Sequence, residues 1–112
     1  METNTAVSAL AALAQASRLQ IFRALVQAGS AGLAAGRISE LTGIAPSSLS
    51  FHLKELSHAA LVTSVQSGRF VIYSANFSAM NALLAFLTEN CCGGAPCGPA
   101  VPSCCPPGDT PT

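Results

Sequence analysis

Apolar residues in the first ninety positions recur at helical spacing, switch once to strand-like runs, and then switch back. Val7, Leu10, Leu13 and Ala14 fall three to four apart and predict a first helix. Ser17, followed three residues later by Gln20, has the form of a capping box and predicts a second helix from Arg18 to about Ala28. Ile21, Phe22, Leu25 and Val26 give that helix an apolar stripe, and Gly29 ends it. The stretch GSAGLAAG reads as a loop into a short helix from about Ile38 to Thr42. Gly43 then makes a turn, and Pro46 suits the first position of the next helix, which runs to about Ala59. Leu49, Leu53, Leu56 and Ala60 share one side of it, while Ser47, Ser48, Phe51, Lys54, Glu55 and His58 lie on other faces. Leu61–Gln66 and Arg69–Ala75 are rich in Val, Ile, Thr, Tyr and Phe, and Ser67-Gly68 separates them, which predicts a β-hairpin with a two-residue turn. A last helix, about Phe77–Glu89, carries Met80, Leu83, Leu84 and Leu87 on one face. The fold class expected is mainly α with a β-hairpin wing.

Composition divides the chain in two. Residues 1–90 contain no cysteine and one proline. All five cysteines (Cys91, Cys92, Cys97, Cys104 and Cys105) and six of the seven prolines follow, so 91–112 forms a Cys/Pro/Gly-rich tail unsuited to regular helix or strand. The expected organisation is therefore a helix-rich body, 1–90, followed by a separate tail, 91–112.

Only 9% of the 112 residues are charged while 50% are hydrophobic. A chain this short with so few charges is expected to hide apolar surface in a partner, the commonest being a second copy of itself. The zero formal net charge argues against coating nucleic acid by bulk charge, yet leaves room for a few well-placed cations on phosphates. No apolar run approaches the ~18 residues of a membrane span, and the Ala-rich N-terminus lacks the pattern of a secretory leader. The expected location is the cytoplasm, where thiols stay reduced.

A short helix, a Gly turn and a polar-faced helix form a helix-turn-helix outline. The second helix of such a pair enters the major groove led by its N-terminal residues. Here those are Ser47, Ser48 and Ser50, with His52 and Lys54 further along. Hydroxyls bond phosphates or base edges, and Lys54 supplies charge. Gln66, Ser67 and Arg69 sit at the hairpin tip, suited to an adjacent groove or to the backbone. The outline alone is shared with many helical bundles; the hairpin directly after the helix is what favours DNA.

The segment ISELTGIAPSSLSFHLKELSHAALV, the hairpin TSVQSGRFVIYSA and the earlier ASRLQIFRALVQAG resemble the ArsR/SmtB family of metal-responsive repressors. The resemblance covers about residues 7–90, with SxxSxHLKxLxxAxLV its most specific stretch. It implies a winged helix-turn-helix homodimer whose first and last helices make the interface, a near-palindromic double-stranded operator, and release from DNA when a toxic ion binds. By position, Ser47, Ser48, Ser50 and His52 match the family's base- and phosphate-contacting residues, and Arg69 matches its wing arginine. Pro46 stands where the family often carries Gln.

The family's C-x-C arsenic site falls on Arg37 and Ser39 here, and its last-helix zinc site lacks the required His, so neither is expected. The tail remains. Cys91 and Cys92 follow the last helix, and Cys97 returns after Gly-Gly-Ala-Pro. Three thiolates so arranged suit the pyramidal preference of As(III) or Sb(III), and thiolates select soft ions. Some members of the resembled family carry a similar cluster as their arsenite site. Cys91, Cys92 and Cys97 are the expected ligands, with Cys104 and Cys105 as a second pair.

Zinc on four thiolates is the alternative metal, although the usual C-x2-C spacing is missing. A tail without function is the bland alternative. A rival class is a soft-metal chaperone or buffering protein whose body merely dimerises. An enzyme is not expected, since no nucleophile–base pair, phosphate loop or carboxylate pair is visible.

Overall fold

The computed structural model describes residues 1–90; the tail and the cysteine site expected in it lie outside the described residues. Helix α1 spans Thr3–Leu13, α2 Ala16–Ala28, α3 Ala35–Thr42, α4 Pro46–His58 and α5 Phe77–Leu87. Strands β1 (Leu33–Ala34), β2 (Val62–Ser67) and β3 (Phe70–Ala75) form one antiparallel sheet in the order β1-β3-β2. This is the expected helical body with a hairpin wing. No helix among the described residues is long and apolar enough to cross a membrane.

The core gathers Ile21 and Leu25 from α2, Ile38 from α3, Leu49, Leu53 and Leu56 from α4, and Leu61 at the entry to β2. Each such side chain contributes about 1.5–3 kcal/mol on leaving water. Leu49, Leu53 and Leu56 of the stripe expected on α4 are buried, but Ala60, expected beside them, lies past the helix end and is exposed; on α2, Ile21, Phe22 and Leu25 are buried and Val26 is half-buried.

Four further expectations need correction. In α1 the buried residues are Ala6, Ala9 and Ala12, whereas Val7 and Leu10 remain 56% and 42% exposed. Small side chains bring α1 close to its neighbours, and the larger residues are left outside. The cap of α2 is Gln15, not Ser17: the Gln15 backbone is extended, and its Oε1 accepts from the Arg18 N–H at 3.0 Å. Ser17 already lies inside the first turn. The stretch read as loop holds β1 and the first turn of α3, with Leu33 opposite Tyr73 and Ala34 opposite Ile72. Two residues are too few to show a period. The hairpin turn is Gly68-Arg69, one residue later than expected, because Ser67 pairs with Phe70. Gly68 has φ +62°, so the turn has the Gly-first form that matches strand twist.

Gly32 fixes the third strand to the wing. Its φ is +71°, and a Cβ there would collide with the Tyr73 carbonyl oxygen, Ser74 Oγ and Ile72 Cγ2. Only glycine admits β3 this closely.

Candidate nucleic-acid interface

The turn between α3 and α4 is held by side chains at both ends. Gly43 takes the left-handed conformation (φ +76°) and its N–H donates to the Ser39 carbonyl at 2.8 Å. Ser39 Oγ donates to the Ile44 carbonyl at 2.6 Å, and Thr42 Oγ1 donates to the Ile38 carbonyl at 2.8 Å. The Ile44 N–H donates back to Thr42 Oγ1 at 3.3 Å. Buried Ile38 anchors α3 beneath this network. The angle at which α4 leaves the body is thus set by local bonds as well as by packing.

Helix α4 begins at Pro46 after the extended Ala45, with no side-chain cap and no acidic residue in its first turn. Its leading N–H groups carry the positive end of the helix dipole and suit an anion. Ser47, Ser48, Ser50 and Lys54 are exposed, as the expected reading face requires.

His52 is placed differently from the expectation. It is only 9% exposed, and its Nδ1 accepts from Arg18 Nε at 3.2 Å. The ring sits on the α2 side of the helix and supports Arg18 instead of facing outward with the serines. Phe51, assigned from sequence merely to another face, is 55% exposed. Its ring meets His52 edge-on at 5.7 Å between centroids, and the Arg18 guanidinium carbon lies 5.6 Å from the Phe51 centroid. Arg18 and Phe51 are the residues that sequence reasoning missed. Arg18 and His52 are 34 positions apart, and no local pattern connects them.

At the wing, Gln66 and Arg69 are both exposed. Gln66 Nε2 donates to the Gly68 carbonyl at 3.1 Å, so part of its hydrogen-bonding capacity braces the turn. Arg69, inside the turn itself, is carried at the extremity of the hairpin. Among the described residues no three His, Cys, Asp or Glu side chains gather where they could hold a metal ion. The one ion pair among them, Arg37–Glu40 at 3.1 Å, is exposed and contributes little.

Comparison with known proteins agrees with this geometry. A helix-turn-helix domain family matches residues 13–65. The chain is 32% identical over 87 residues to the HTH-type transcriptional regulator YgaV of Escherichia coli, covering 78% of this chain and 86% of that protein. An ArsR-like transcriptional regulator from Rhodococcus superposes with TM-score 0.69 at 27% identity, covering 77% of this chain and 78% of that one. The homodimeric winged helix-turn-helix DNA-binding domain of Mb0332 from Mycobacterium bovis, a possible ArsR-family regulator, gives TM-score 0.62 at 27% identity over 78% and 81% of the two chains.

Proposed function

Because the chain belongs to the helix-turn-helix transcriptional regulators of the ArsR-like type, we propose that it is a homodimeric repressor that leaves its operator when As(III) or Sb(III) binds the tail thiolates. The carrying observation is the outer face of α4: hydroxyls and one cation around an uncapped helix start, on a helix whose inner leucines are buried. That face offers short donors and acceptors to base edges and phosphates. Arg69 at the wing tip extends the contact to neighbouring DNA.

The dimer reading rests on the other end of the body. Val7 and Leu10 of α1 are exposed, and so is Leu87 of α5, at 55%. These two helices touch within one subunit. A second copy laid on them would cover apolar surface that water otherwise meets. The homodimeric state of the mycobacterial relative supports pairing of two copies. Two recognition helices then face DNA about 34 Å apart, one turn of the duplex.

The effector reading rests on where the thiols fall. Cys91 and Cys92 come four and five positions after Leu87, the last residue of α5, and Cys97 comes shortly after. Ion binding there acts on a helix that belongs to the proposed interface. An ion shifts the equilibrium only by its preference for the DNA-incompetent form. Couplings of about 1–3 kcal/mol are typical, which is enough to empty an operator partly or fully.

Arsenite titration of a gel shift tests this, using the region upstream of the protein's own gene. The wild type should retard the fragment and release it as arsenite rises. The Cys91→Ser/Cys92→Ser variant should bind equally well and stay bound. Release that persists in the variant removes the site from these thiols. No retardation by the wild type favours a soft-metal carrier instead.

A further inference from the structure

We propose that Arg18, at the start of α2, is a phosphate-contacting residue held ready over the recognition helix by His52 and Phe51; this rests on the DNA-binding reading above. Arg18 is half-buried, yet among the described residues it has no carboxylate partner. Its Nε–H donates to His52 Nδ1 at 3.2 Å, and its guanidinium carbon stands 5.6 Å from the Phe51 ring centroid. A guanidinium has five N–H donors. One is used on the imidazole, and the four on the terminal nitrogens have no side-chain acceptor among the described residues.

A partly desolvated cation without a counterion is unfavourable unless an anion arrives. The anion must come from the direction of α4, because Phe51 beneath the guanidinium is itself exposed on that helix. Duplex DNA docked on Ser47, Ser50 and Lys54 brings phosphates to this surface. A guanidinium fork matches two phosphate oxygens at once. His52 and Phe51 fix the fork beforehand, so little side-chain freedom remains to be lost on binding. His52 is thereby a positioning residue, which explains why it turns inward from the serine face.

Fluorescence anisotropy on two 30-bp duplexes at several salt concentrations tests the assignment: the upstream fragment and a scrambled sequence. Thermal melts by circular dichroism run in parallel. Arg18→Gln should weaken binding to both duplexes about tenfold. It should also lower the slope of log K against log salt by about 0.9 per lost phosphate, about 1.8 for a homodimer. Arg18→Lys keeps the charge but not the fork, so its slope should stay near wild type while affinity falls several-fold at unchanged melting temperature. A residue acting only in folding would move the melt and leave the slope alone. An Arg18→Gln slope equal to wild type overturns the assignment while leaving the DNA-binding reading intact, as does an Arg18→Lys protein that binds like wild type. Failure of the wild type to bind either duplex overturns both.

Discussion

Two exposed surfaces of this small body ask for opposite partners. The outer face of α4 shows hydroxyls, Lys54 and the Arg18–Phe51 pair, on a helix whose first turn has no carboxylate. The outer face of α1 and the end of α5 show Val7, Leu10 and Leu87. Both are helix faces turned to water in a single subunit. The first offers what phosphate and base edges need; the second offers only area. Exposure alone therefore says little about function, and the chemistry of what is exposed separates a surface for nucleic acid from one for protein.

The strongest way to break this comparison is to give the apolar surface the chemistry of a solvated one. Val7→Glu/Leu10→Glu places two like charges per subunit at the proposed interface, where burying them is very costly. Sedimentation velocity at micromolar concentration should show monomer. Operator affinity should fall at least about 100-fold, because two linked half-site contacts become two separate ones. A variant that remains dimeric moves the interface elsewhere.

A smaller effect comes from the reading face. Lys54→Ala should cost about tenfold in affinity and reduce the salt slope by about 0.9 for each phosphate it contacts, without altering the dimer. Anisotropy on the same operator duplex checks this. An unchanged slope would mean that Lys54 is only solvated.

Much of the architecture was legible because strong periodic stripes such as Ile21/Phe22/Leu25 and Leu49/Leu53/Leu56 report burial directly. The α1 face was misread because alanine carries little hydrophobic weight, so Val7 and Leu10 outvoted the Ala6/Ala9/Ala12 face that packs inside. β1 was missed because its two residues are held by a partner far along the chain. On the site, the serines and Lys54 follow from local phase on one helix. The inward turn of His52 and the recruitment of Arg18 do not, since both depend on the contact between α2 and α4. Tertiary pairs of this kind leave no local signature.

The smallest effect concerns the turn by which α4 hands the chain to the wing, where the reading half joins the part that carries α5. Ala60 has φ +62° there, and its N–H donates to the Ser57 carbonyl at 2.9 Å while the Leu61 N–H donates to the Leu56 carbonyl at 3.0 Å. Those two bonds make a Schellman ending, which normally places glycine at the left-handed position. Asn76, the cap of α5, donates from Nδ2 to the Ala60 carbonyl at 2.9 Å and so secures the turn from the other region. A left-handed alanine costs about 1–2 kcal/mol. Glycine there gives back about 0.5–1 kcal/mol in lost chain freedom. Ala60→Gly should therefore stabilise the body by roughly 0.5–1 kcal/mol, raising the thermal midpoint by a few degrees, with operator affinity unchanged. A lower midpoint would mean that the methyl group contributes more through packing than the backbone loses through strain. A changed affinity would mean that the turn also sets how the reading helix is presented, joining the two surfaces mechanically as well as in sequence.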